Sequence, residues 1–144
     1  MKRIPKIKKF MTPFPFSISE SAPLSEAQAF MRLKKIRHLP VVADGIPVGL
    51  ITDRDIKLVL GPDFAYPNAD ELTVAQAMTQ ETYSVDLETR VDRVLDHMAS
   101  HHIGSALVTR KGKLVGVFTA MDACRAYCNH LRDEFGPSGG DLIA

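Results

Sequence analysis

Two cysteines are all that the 144 residues contain, Cys124 and Cys128. So few thiols exclude a disulfide framework and suit a reducing compartment. They sit four apart on an expected helix with His130 nearby, which raises metal binding. Yet Ala120, Cys124, Tyr127, Cys128 and Leu131 form one apolar stripe at helical spacing, so core packing is the expected role and no metal is assigned. Net charge is also scarce, at +1, which argues against the strongly basic face of a dedicated nucleic-acid binder. The exception is local: Lys2, Arg3, Lys6, Lys8 and Lys9 precede the first acidic residue, Glu20, and read either as a solvated tail or as an anion-binding arm. No long apolar run follows these lysines or occurs elsewhere, so neither a secretory signal nor a membrane span is expected, and the location should be cytoplasmic. A nucleophile beside a base and an orienting acid is missing too, so the chain does not read as an enzyme. His97 and His101 stand four apart without the glutamate of a His-Glu-x-x-His zinc motif, and belong on a surface helix face.

What the chain does have is a second copy of itself. Shifted by 67 positions, Met11-Thr12 falls on Met78-Thr79, Ser17 on Ser84, Met31 on Met98 and Ile36 on Ile103. Val41 meets Val108, Gly45 meets Gly112, Val48-Gly49 meets Val115-Gly116, and Thr52 and Asp55 meet Thr119 and Asp122. The register runs from Met11 to Asp55 without a gap, so one supersecondary unit is used twice. A lone unit of roughly 60 residues buries too little surface to be more than marginal. The copies should therefore pack on each other in one compact body, which 45% hydrophobic and 24% charged residues permit. The expected layout is a first repeat over 1–60 with its basic leading segment, a linker over 61–73, a second repeat over 74–134 and a flexible tail over 135–144. Gly61, Pro62, Phe64, Tyr66 and Pro67 mark the linker, which should keep some aromatic contact with the body.

Each repeat opens on a short strand, Phe16 to Ser19 or Tyr83 to Asp86. A helix follows: Thr89 can cap the second copy, with Val91, Val94, Leu95 and Met98 on one buried face. In the first copy Pro23 suits the opening turn, and Leu24, Ala27 and Met31 share the matching face. Next comes a hairpin, Leu39 to Val42 and Val48 to Ile51 around Asp44-Gly45, matched by Ala106 to Val108 and Leu114 to Phe118 around Lys111-Gly112. Pro40 lacks an amide hydrogen and should open its strand or lie at an edge. A last helix begins at Thr52 or Thr119. The unit is β-α-β-β-α, twice over, in an α/β (α+β) layered fold.

The sharpest local pattern is Gly-x-x-Thr-x-x-Asp, at Gly49-Thr52-Asp55 and again at Gly116-Thr119-Asp122. Glycine inside a strand weakens it unless something approaches the backbone closely, and a ligand is one such thing. Threonine where strand becomes helix can offer its hydroxyl, with the first free amides, to an anionic oxygen. Aspartate one turn on can accept both hydroxyls of a ribose. The same Thr-x-x-Asp spacing is also a capping box. Its recurrence with the glycine favours the ligand.

Two copies of Met-Thr, a Pro-Val-Val strand, a Gly-containing turn, Val-Gly and Thr-x-x-Asp together resemble paired CBS domains, the Bateman module, over nearly all of residues 7 to 130. The resemblance implies a pseudo-twofold pair that binds AMP, ADP, ATP or a related adenosyl compound as a regulatory ligand, with no other cofactor. It implies that Asp55 and Asp122 hold ribose and that Thr52 and Thr119 lie on the phosphate side. Ser17-Ile18 and Ser84-Val85 would turn backbone edges to the adenine, and Ile36 and Ile103 would wall the base pocket. Arg37 and His38 would reach phosphates across the cleft, while the second copy carries Gly104 and Ser105 there, Leu107 for Pro40 and Met121 for Arg54, which argues against a highly charged ligand at the second site. Among stand-alone members the chain is similar to small bacterial acetoin-utilisation-type proteins. A homodimer is implied, paired through helices carrying Ile56, Val59 and Leu60 or Cys124, Tyr127 and Leu131, with signalling to an unidentified effector protein. The rival expectations are a ligand-independent dimeric scaffold, in which the motifs are helix caps only, and an enzyme or metal carrier built on the histidines.

Overall fold

The strand-helix-hairpin-helix order follows from the patterns above, and the computed structural model describes it over residues 2–60 and 68–136. The linker markers Gly61 to Pro67 and the tail from Pro137 onward lie outside the described residues. A helical turn at Ile7–Lys9 and strand β1 (Thr12–Pro13) come first. The first repeat then runs β2 (Ile18–Ser19), α1 (Leu24–Lys34), β3 (His38–Ala43), β4 (Ile46–Thr52) and α2 (Asp53–Leu60). After a short helix α3 (Val74–Ala77), the second runs β5 (Ser84–Asp86), α4 (Val91–His101), β6 (Ser105–Arg110), β7 (Lys113–Thr119) and α5 (Ala120–Phe135).

The strands form two sheets, β2-β3-β4 and β1-β7-β6-β5. Both hairpins turn on two residues in left-handed conformation, Asp44 and Gly45 (φ 52° and 81°) and Lys111 and Gly112 (φ 51° and 81°). Such turns match the right-handed twist of the flanking strands. Leu24, Ala27 and Met31 of α1 and Val94 and Met98 of α4 are buried as expected, but Leu95 is 39% exposed. Helix α4 is capped at Arg90 rather than Thr89. The reason is long-range: the amide of Val91 donates to the carbonyl of Pro5 at 2.9 Å, so the leading segment supplies the acceptor that a capping side chain would give.

That contact is one of a reciprocal set. Ile7 donates to the Thr89 carbonyl as Val74 donates to that of Ala22, and Val91 donates to Pro5 as Leu24 donates to Leu72. Every pair maps onto the other by the 67-residue shift, which is the pseudo-twofold expected of the repeats. The segment ahead of each repeat thus docks on the opposite one. Ile7 lies fully buried in a core with Val94, Met98, Ala106, Val108 and Phe118, and Val74 lies fully buried in the other with Leu24, Leu39, Val41 and Ile51. From Pro5 to Lys8 the basic leading segment is accordingly docked on the second repeat and is not a loose tail. Lys6 and Lys8 both pair with Glu88, Lys8 at 2.6 Å, and hydrogen bonds from Lys6 first and Lys8 second lower the Glu88 pKa to about 2.

Pro40 neither opens β3 nor lies in an edge strand, because β3 is the middle strand of its sheet. It is tolerated because β2 reaches only Val41 and Val42. In the second repeat the equivalent Leu107 amide donates to the Tyr83 carbonyl at 2.8 Å, and β5 gains a residue.

Two helix faces also depart from expectation. Ile56 and Leu60, assigned to a pairing surface, are 2% and 1% exposed within the first core. The stripe on α5, assigned to core packing, is not buried: that helix has no buried residue, and Tyr127 is 57% exposed.

Candidate functional site

Antiparallel pairing sets the last residue of β4 opposite the first of β3, so His38 faces Thr52 and, in the other repeat, Ser105 faces Thr119. The chain then enters the helix with its backbone tied back: the Asp53 amide donates to the Arg37 carbonyl at 3.1 Å, and the Ala120 amide to that of Gly104 at 2.9 Å. Ser17 and Ser84, ahead of or at the start of the parallel strands β2 and β5, lie at this same end of each sheet. Each repeat therefore gathers its predicted residues at one corner.

Within each corner the capping box is formed. The Thr52 amide donates to Asp55 Oδ2 at 2.9 Å, and the Asp55 amide to Thr52 Oγ1 at 3.1 Å. In the second corner the same bonds measure 2.9 and 3.2 Å. An ionised carboxylate has about four acceptor positions. One oxygen caps; Oδ1 of either aspartate accepts no hydrogen bond among the described residues. The cap and a ribose-accepting role are thus compatible, since holding Oδ2 fixes the direction of Oδ1.

The strand glycines have a different cause from the one expected. A Cβ at Gly49 would stand 2.7 Å from Met78 Sδ and 2.9 Å from the Thr79 carbonyl oxygen, and one at Gly116 would stand 2.9 Å from Met11 Cγ. What comes close is the Met-Thr pair of the opposite repeat, not a ligand. The sequence marks these methionines as part of the repeat, but not that each lies against the glycine of the other copy.

Ile18 is core, 9% exposed, so only its backbone can face a ligand; Ile36 and Ile103 are half-buried against the two cores. Val85 is half-buried likewise, while Ser17, Arg37 and Ser84 are exposed. His38 is half-buried between charges. Burial lowers its pKa from 6.5, with Asp55 opposing the shift and Arg37 adding to it. A cleft of about 470 Å³ lined by Ser17 to Ser21 and Val42 to Asp44 opens at the hairpin end of the sheet and shares only Ser17 and Ile18 with the predicted set. No group of three metal-ligating side chains occurs among the described residues. The His97 ring stacks between those of Tyr83 and His101, with centroids 4.0 Å from each. Nor is any described helix long and apolar enough to cross a membrane.

The family model for the CBS domain matches the chain at residues 7–61 and again at 74–129. Uncharacterized protein YlbB of Bacillus subtilis is 39% identical over 99 residues, 67% of this chain; the chain spans 65% of YlbB's length. It spans 24% of another curated relative, an inosine-5'-monophosphate dehydrogenase of Thermoplasma acidophilum, at 26% identity. Among solved structures, a protein assigned to acetoin utilization (AcuB) from Vibrio cholerae superposes with a TM-score of 0.80 at 25% identity, over 94% of this chain and all of that one. The CBS domain pair of protein MJ0100, solved with 5'-methylthioadenosine and S-adenosyl-L-methionine, gives 0.77 at 25% identity, over 89% of this chain and 99% of that one.

Proposed function

The chain belongs to the CBS-domain family, and on that premise we propose that it is a binding module, not an enzyme, that takes adenosine nucleotides or related adenosyl compounds and regulates a partner protein. One observation carries the reading: both corners hold a threonine hydroxyl and an aspartate whose second oxygen is left open, at matched ends of matched sheets. The ligands of the MJ0100 pair, at 25% identity, support an adenosyl compound. Asp55 and Asp122 accept the ribose hydroxyls. Thr52 and Thr119 lie on the phosphate side, Ser17-Ile18 and Ser84-Val85 offer backbone to the base, and Ile36 and Ile103 wall it. A ligand that prefers one arrangement of the repeats shifts the population toward it, and the effector protein reads that arrangement.

A second copy of the chain is the proposed structural partner. Met121, Cys124, Cys128, Leu131 and Phe135 repeat at the a and d spacing of a coiled-coil seam, and Met121 and Phe135 are 76% and 67% exposed. The thiols on that helix fit a reducing cytoplasm.

Thermal unfolding with AMP, ATP and S-adenosylmethionine tests the binding. A ligand at a hundred times its Kd stabilises by about 2.7 kcal/mol, and Asp55→Asn with Asp122→Asn, which keeps an acceptor for the cap, should abolish the shift. A ligand-independent scaffold has its own supporting observation, since the capping boxes and the Met-Thr contacts account for both motifs without a ligand. No melting shift with any adenosyl compound would favour it.

A further inference from the structure

The two corners share a backbone and differ in charge. Around Thr52 and Asp55 stand Arg37, His38 and Arg54, and neither arginine forms an ion pair among the described residues. The acid that would offset them at the head of α2, Asp53, is already paired with Lys57 at 2.8 Å. Around Thr119 and Asp122 the same positions hold Gly104, Ser105, Met121 and Ala120. At these positions the first corner is net positive, and the second carries only the Asp122 carboxylate. Ser105, 7% exposed, stands where the first corner has a half-buried imidazole.

The strand edges differ in the same sense. The second repeat closes the Tyr83 carbonyl with the Leu107 amide. In the first, Pro40 has no amide hydrogen, and the equivalent Phe16 carbonyl accepts no bond among the described residues, leaving an acceptor open beside the basic cluster.

We propose that the corners divide adenosyl ligands by charge: the first takes a phosphorylated nucleotide, with Arg37 and His38 on the phosphate, and the second takes an uncharged adenosyl compound. This rests on the adenosyl reading above. A phosphate at the second corner would meet the Asp122 carboxylate with no cation at the matched positions to offset it, whereas at the first it meets two arginines and an imidazole that the phosphate itself favours in the charged form. A neutral 5'-substituent reverses the preference, because it gains nothing from the cations and loses nothing beside Asp122.

Isothermal titration of the full chain with AMP and with 5'-methylthioadenosine reads the two sites separately. The expected result is one AMP per chain, weakened at least tenfold by Arg37→Gly with His38→Ser, while methylthioadenosine binding stays within twofold. In the reverse direction, Gly104→Arg with Met121→Arg should raise the AMP stoichiometry from one to two. A Cβ at Gly104 meets nothing within 4 Å, so that exchange begins in open space. Two AMP molecules of equal affinity per unaltered chain, AMP affinity indifferent to the Arg37 and His38 exchange, or AMP binding without methylthioadenosine binding would each overturn the division and leave the adenosyl reading standing. Failure of both compounds to bind at all would overturn both.

Discussion

The first and second repeats were drawn from one pattern, yet they have parted where a ligand would meet them. In the first, β2 stops a residue short beneath Pro40 and three basic side chains ring the corner; in the second, β5 is a residue longer and the corner is nearly uncharged. The cores have not parted in the same way. Ile7 and Val74 plug opposite halves through hydrogen bonds that map one onto the other. The difference teaches that the exchanged segments hold the shape in common while the strand entrances are free to specialise.

The largest expected effect bears on the plugs. Ile7→Ala removes a fully buried side chain and should cost about 2–5 kcal/mol; Val74→Ala removes less and should cost less in a urea melt. Equal losses would break the picture of two equivalent plugs of different size. Next are the glycines under the methionines. Gly49→Ala and Gly116→Ala should each destabilise by about 1–3 kcal/mol through overpacking. Met11→Ala should remove most of the penalty at Gly116, whereas at Gly49 the Thr79 carbonyl oxygen at 2.9 Å should keep part of it after Met78→Ala. No recovery at Gly116 would mean that the backbone, not the thioether, sets the close approach there.

A smaller effect separates the corners by pH. His38 has a folded pKa below 6.5, so the unfolded chain binds the extra proton first as pH falls. Its contribution to stability is therefore fully present above 6.5 and is lost as pH drops toward the folded value. Melting temperature followed from pH 8 to 5 should fall less steeply in His38→Gln than in the unaltered chain, and Ser105→Ala should leave the slope alone. The smallest effect is Pro40→Leu. A new amide bond to the Phe16 carbonyl contributes about 0.5–1.5 kcal/mol, and release of the unfolded chain from proline offsets about 0.4–1 kcal/mol of it. Stability should hardly move, but hydrogen exchange should find a protected amide at position 40.

Much of this was legible in the residues. The 67-residue shift announced two β-α-β-β-α units, Asp44-Gly45 and Lys111-Gly112 announced their hairpins, and Leu24, Ala27 and Met31 announced a buried face. Thr-x-x-Asp announced both of the things it can be, and the cap is one of them. Other features were closed to sequence reasoning because periodicity marks an apolar face without saying what covers it. Ile56 and Leu60 are covered by their own core, and Tyr127 and Leu131 are not. The glycines signalled close approach correctly, but a pattern internal to one repeat does not reveal that the other repeat does the approaching. Thr89 lost its expected cap to Pro5 for the same reason.

The swap of leading segments has one more consequence. Either half made alone would be a chain whose own plug has nowhere to go and whose own hollow stays empty. Two such half-chains mixed in one tube could restore both seals only by embracing each other, each handing its opening residues across the gap.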